Sequence, residues 1–158
     1  MKRKILALIV PVMLLSAVGC VNNQKEKEEI KVSIEQNKPE DYPKNLEYLM
    51  KDFTDQARDI DNLINSKKSQ YKKATEFREL SEPFLDTVDK VKKLEYDQKY
   101  FPVRNKVDEA MTYVKAGVDH MQTALSMGDK VSVEIAVDEL KTASKLIDEG
   151  HKEMKKIK

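Results

Sequence analysis

The chain has no tryptophan, one cysteine, two histidines and four glycines in 158 residues. A single cysteine, Cys20, cannot close an internal disulfide, which excludes the disulfide-stapled class of small exported domains. So few glycines, one of them Gly19 directly before Cys20, leave little with which to build a phosphate-cradling loop, and neither a P-loop nor a G-x-S-x-G turn occurs. His120 and His151 lie outside any His-Glu-x-x-His or Glu-x-x-His pair, so no zinc or di-iron centre is expected. Neither sign of charge dominates: 29 basic residues face 28 acidic ones. That balance excludes a general nucleic-acid binder, which needs a basic face for phosphates. Long apolar runs are also missing. The longest, Ile5 to Leu15, is broken by Pro11 and falls short of the roughly 20 apolar residues that span a bilayer core.

What is present begins at the N-terminus. Lys2, Arg3 and Lys4 precede the apolar run, and small residues close it, the order of an export signal. The run ends in Ala17-Val18-Gly19-Cys20, which resembles a bacterial lipobox, although Ala17 stands where leucine is commonest. The resemblance implies a diacylglyceryl group on the Cys20 sulfur, cleavage before that residue, and a signal peptide at 1–19. It places the mature chain on the extracytoplasmic face of the cell membrane, tied there by its acyl chains. Two acyl chains satisfy the two-signal requirement for stable anchoring. Loss of Lys2, Arg3 and Lys4 leaves 26 basic and 28 acidic side chains in the mature chain.

Residues 20–42 read as the lipidated cysteine and a flexible charged tether, because Lys25-Glu26-Lys27-Glu28-Glu29 offers no apolar stripe to bury. A coil of this length reaches ~25 Å. Within it Ile30, Val32 and Ile34 alternate with polar residues, a strand period that predicts an extended strip or a docking segment.

From Pro43 to the C-terminus the apolar period is helical. Leu46, Leu49, Phe53, Ala57, Ile60 and Ile64 form one stripe, with Asp41 as a candidate N-cap. Tyr71, Ala74, Phe77, Phe84, Val88 and Val91 form a second, interrupted by Pro83. There Ser81 caps a new helix, or Pro83 kinks a continuous one. A turn is expected at Asn65 to Ser69. Val103, Val107, Met111, Val114, Val118, Met121 and Leu125 form a third stripe, and Val133, Ala136, Leu140, Ala143, Ile147 and Met154 a fourth. Met127-Gly128-Asp129 between them predicts a tight turn, with Gly128 left-handed and Asp129 capping the next helix. The expected fold is all-α, an up-down-up-down four-helix bundle over residues 43–158 with coiled-coil-like seams and helices of about 37 Å. The alternative is a three-helix bundle with a long kinked first helix.

No constellation predicts catalysis, and no cofactor is expected. Glu82, Asp86 and Asp89 share a face with Lys90, Lys92 and Lys93 and read as a solvated, salt-bridged surface. His151 falls on the fourth stripe as a packing residue, and His120 reads as surface. The methionines read as core filler. Lys152, Lys155, Lys156 and Lys158 complement the negative end of the last helix dipole. The candidate partner contact is the aromatic loop with Tyr96, Tyr100 and Phe101, since aromatic residues are enriched at interfaces.

The lipobox, the Pro102 loop and the hairpin around Ala124-Leu125-Ser126-Met127-Gly128-Asp129 together resemble small helical lipoproteins of low-GC Gram-positive bacteria. The resemblance implies no activity and carries over only Cys20. The expected function is a non-enzymatic, membrane-anchored protein-interaction module of the cell envelope, with an envelope protein as partner. A bundle that holds a small ligand or metal is the alternative, and it predicts a cavity lined by methionine and valine.

Overall fold

The computed structural model describes residues 24–157. The lipobox, Cys20 and the export signal lie outside the described residues. Among the described residues five α-helices make an all-α fold: α1 at Gln24–Gln36, α2 at Tyr42–Asn65, α3 at Gln70–Lys93, α4 at Phe101–Met127 and α5 at Lys130–Lys156. The last four are long, and none of the described helices is long and apolar enough to cross a membrane.

The Ile30-Val32-Ile34 segment is helical, not an extended strip. It sits in a Glu- and Lys-rich stretch of strong helix formers, and local propensity overrides a three-residue alternation. Ile34 packs on the core while Val32 is half exposed. Helix α1 stops at Asn37, which takes a left-handed φ of 48°, and Pro39 lies two residues on. The Asn37 side chain then fastens this corner to the body. Its Nδ2 donates to the Lys93 carbonyl at 2.8 Å, and its Oδ1 accepts from the Glu95 N–H at 2.8 Å.

Helices α2 and α3 are separate, as the turn at Asn65 to Ser69 predicts. The Ser69 side chain caps α3 by accepting from the Lys72 N–H, and Lys73 Nζ donates to the Ile64 carbonyl at the end of α2. Asp41 stands at the α2 N-cap position but its side chain makes no capping bond. Ser81 does not start a new helix: α3 runs unbroken through Pro83. Ser81 Oγ donates to the Phe77 carbonyl at 2.6 Å, and Thr87 Oγ1 to that of Pro83 at 3.1 Å. Pro83 removes one helical bond, while Phe77, Phe84 and Val88 on the same helix are at most 3% exposed. Burying each such side chain contributes roughly 1.5–3 kcal/mol, which outweighs the lost bond.

The turn between α4 and α5 follows the sequence. Gly128 has φ +70°, and Asp129 accepts from the Val131 and Ser132 N–H groups at 3.0 and 3.2 Å. The two helices form the most intimate pair of the fold. Each carries small residues every seventh position, Ala110-Gly117-Ala124 on α4 and Ala136-Ala143-Gly150 on α5, all buried. A seven-residue period keeps one face of a helix toward its partner, and small side chains let the backbones close in. A Cβ on Gly117 would sit 2.8 Å from Leu140 Cγ and 3.3 Å from the Ala136 carbonyl oxygen. The Lys106–Glu149 and His120–Glu139 pairs, both at 2.7 Å, bridge the same two helices.

Packing is sequential: α2 lies on α3, α3 on α4 and α4 on α5, whereas α2 and α5 make almost no close backbone approach.

Candidate functional site

The gap between α2 and α5 is an apolar cleft of about 40 Å³. Helix α2 supplies Phe53, Ala57, Ile60 and Ile64, and α5 supplies Leu140, Ala143 and Ile147. Phe77 and Phe84 of α3 and Val114, Val118 and Met121 of α4 line the rest. Every one of these positions falls on the apolar stripe of its helix, so the cleft is the centre of the helical core, left accessible along one seam. Phe53 and Phe84 stack with centroids 4.7 Å apart and fix the cleft at one end.

Only two lining side chains are polar, Asp61 and Ser144. The Asp61 carboxylate accepts from Asn65 Nδ2 at 2.9 Å. A buried water needs two to four polar partners, and an apolar cavity without them stays dry or takes an apolar guest. The cleft therefore suits hydrocarbon. Gly117 decides its shape: with no Cβ there, α5 closes on α4 and Leu140 projects past Gly117 at the cleft.

The aromatic residues singled out from sequence are at the other end. Tyr96 and Tyr100 are half-buried and pack against the core around Tyr42, with ring centroids 5.9 and 5.5 Å from it. Phe101 stands apart, 50% exposed. The organiser of this end is Arg104. Its Nη1 donates to the Val91 and Leu94 carbonyls at 3.0 Å each, its Nη2 to that of Lys92, and its Nε to Asp108 at 2.7 Å. Three of these four bonds tie the start of α4 to the end of α3, and the fourth, to Asp108 within α4, holds the guanidinium in place. Burial pushes the Tyr42 phenol well above its ordinary pKa, and the nearby Arg104 charge opposes this only in part. The Tyr42 hydroxyl, Asn45 Oδ1 and Asp108 Oδ1 are buried without hydrogen-bond partners.

The remaining candidates stand as follows. Asp86 pairs with Lys90 at 2.6 Å and Asp89 with Lys115 at 2.7 Å on the surface. The Lys115 hydrogen bond holds the Asp89 carboxyl below its usual range. His120 is half exposed and paired with Glu139. His151 is half-buried, its Nδ1 has no partner, and burial lowers its pKa. Among the described residues no group of three or more His, Cys, Asp or Glu side chains is placed to hold a metal ion.

No protein family, curated protein or solved structure matches this chain.

Sequence reasoning located the stripes that line the cleft, and its ligand-binding alternative predicts a cavity lined by methionine and valine, but it did not place the opening between α2 and α5. The sevenfold spacing of Ala110, Gly117 and Ala124 was the available signal. It marks the face on which α4 takes α5.

Proposed function

We propose that the chain is a lipoprotein held on the extracytoplasmic face of the cell membrane through Cys20, and that its helical domain receives a single hydrocarbon chain in the cleft between α2 and α5. In this reading the four long helices form an up-down-up-down bundle whose first and last members stay ajar. The observation that carries it is the lining: some fifteen residues from all four long helices, all apolar but Asp61 and Ser144. A slot of about 40 Å³ has room for a few methylenes, so one end of a chain would enter it and the rest would lie along the open seam between α2 and α5. An inserted helix, about 10–12 Å across with its side chains, would need α2 and α5 forced apart. The lining includes Val114, Val118 and Met121, as the ligand-binding alternative predicts. The reading as a protein-interaction module rested on the aromatic loop. With Tyr96 and Tyr100 packed on the core, that loop offers a partner chiefly Phe101.

The test uses residues 20–158 carrying Cys20→Ser and a fluorescent long-chain fatty acid. Saturable one-to-one binding is expected. Ala57→Phe, which fills the slot from the half-buried face of α2, should weaken it about 10-fold or more, equal to about 1.4 kcal/mol, with helix content unchanged. No binding, or equal binding by the variant, overturns the proposal.

A further inference from the structure

Four of the largest exposed apolar side chains gather at one end of the molecule. Tyr71 is 82% exposed at the start of α3, Met127 79% at the end of α4, and Val131 63% and Ile135 41% on the first turns of α5. The α3 start and the α4–α5 turn are joined directly. Gln70 Nε2 donates to the Leu125 carbonyl at 3.1 Å, and the Gln70 amide lies against Gly128. This is the end opposite the corner where Asn37 fastens α1.

The charges of the α3 start and the α4–α5 turn have one prevailing sign, while the last turns of α2 beside them carry Asp59 and Asp61. Residues 66–76 and 127–135 carry Lys67, Lys68, Lys72, Lys73 and Lys130 against Glu76, Asp129 and Glu134. Two of the three carboxylates are engaged: Glu76 pairs with Lys68, and Asp129 caps its own helix. Lys67, Lys72 and Lys130 are exposed and make no ion pair among the described residues.

Protruding apolar side chains ringed by unpaired lysines match the two layers of an anionic bilayer surface, phosphate outside and hydrocarbon beneath. The charge and exposure favour a membrane over a protein. The side chains stand on a turn and two helix starts at the end of the molecule, 41–82% exposed beside unpaired lysines, and an anionic bilayer receives such a surface without a matching pocket. We infer that the tip formed by Tyr71, Met127, Val131 and Ile135 with Lys67, Lys72 and Lys130 docks on anionic phospholipid. Where the chain is tied to the same membrane through Cys20, as proposed above, even a weak contact of this sort is effective, because the second contact is intramolecular. The tip also lies at the end of α2 and α4 that carries Ile64 and Met121 of the cleft, so docking brings the slot next to the hydrocarbon it is suited to hold. The inference stands on the tip alone and does not require the cleft to be filled.

The absence of tryptophan supplies the experiment. Met127→Trp places a unique indole in the tip, Val131→Trp a second one, and Phe101→Trp a control at the opposite end. Each full chain is bound to vesicles of phosphatidylcholine with or without phosphatidylglycerol, some bearing brominated acyl chains. With phosphatidylglycerol, the indoles at 127 and 131 should shift to the blue and be quenched, while that at 101 stays water-like. Charge reversal by Lys67→Glu, Lys72→Glu and Lys130→Glu should cut the quenching several-fold. The inference is overturned if the tip indoles stay water-like on anionic vesicles, including the case in which only an added envelope protein shields them. It is equally overturned if the indole at 101 is quenched as much, or if the lipid charge makes no difference. Fatty-acid binding by the cleft is a separate readout, so either idea can fail without the other.

Discussion

The Arg104 guanidinium lies over the Tyr96 ring, its Cζ 5.5 Å from the ring centroid. The same group donates to the carbonyls of Val91, Lys92 and Leu94 at the end of α3, where helical donors run out and the Val91 carbonyl has otherwise the Leu94 N–H at 3.3 Å. Lysine has neither the fork nor the flat face for this position. Arg104→Lys should lose at least two of the carbonyl bonds and the stacking, and lower stability by about 2–3 kcal/mol. Urea unfolding followed by circular dichroism measures it as a lower midpoint at unchanged slope. Fatty-acid binding, at the other half of the helices, should survive.

The Tyr42 ring is 1% exposed, and its hydroxyl lies beside the Arg104 guanidinium without a hydrogen bond of good geometry. Tyr42→Phe keeps the ring contacts with Tyr96 and Tyr100 and removes the orphaned hydroxyl, so stability at neutral pH should be unchanged or rise by up to about 1 kcal/mol. The pH dependence separates this from chance. The folded phenol has a raised pKa, so the unfolded chain gives up its proton first as pH climbs. That contribution to stability is complete below the ordinary tyrosine value near 10 and is lost as pH rises above it. The wild type should therefore lose stability above about pH 10 faster than Tyr42→Phe. Parallel urea midpoints across that range would refute the assignment.

These two cases show which parts of the structure the sequence discloses. Gly128 and Asp129 announce their turn because the left-handed glycine and the capping carboxylate act on their own neighbours. Ser69 and its turn are local in the same sense. Pro83 is the opposite case. Its local signal is a helix break, and it is overruled by Phe77, Phe84 and Val88, whose burial depends on other helices. Ile30, Val32 and Ile34 mislead because three residues satisfy a strand period by accident within helix-forming sequence. Tyr96 and Tyr100 are inward because Arg104 and Tyr42 hold them there, and those partners are distant in the chain or on another element. The cleft is hardest to foresee. It exists because α2 and α5, the most separated long helices in sequence, fail to close on each other, and no periodicity within either helix records that.

Gly117 makes the cleft testable from its wall. An alanine Cβ would meet Leu140 Cγ at 2.8 Å, with the Ala136 carbonyl oxygen at 3.3 Å behind it. The carbonyl belongs to the α5 backbone and cannot swing aside, so either Leu140 changes rotamer or α5 moves off α4. Gly117→Ala gains up to about 1 kcal/mol in helix propensity and should lose about 1–3 kcal/mol to overpacking. A net destabilisation is expected, measured by denaturant midpoint. Displacing Leu140 also changes the slot, so fatty-acid affinity should fall with stability. Gly150→Ala is the control. Its Cβ would meet Val107 Cγ2 at 3.4 Å, an ordinary contact, so it should keep the propensity gain of up to about 1 kcal/mol and leave fatty-acid affinity unchanged.

Cys20 carries the anchoring proposal, and one residue decides it. The thiolate sulfur is the atom to which the diacylglyceryl group would attach, and serine offers an oxygen of far lower nucleophilicity at neutral pH. In growing cells fed a labelled fatty acid, the wild-type chain should take up label and migrate as the cleaved form. Cys20→Ser should take up none and retain residues 1–19, because cleavage follows lipid attachment in the lipobox scheme. Label on the serine variant, or a wild type that keeps its first 19 residues, would refute anchoring at this position. The helical domain would be untouched by that result, since its core is drawn from Tyr42 to Leu146 with half-buried support out to Ile157. Anchor and cleft are therefore separable, and a Cys20→Ser chain that still binds fatty acid in solution is the expected outcome.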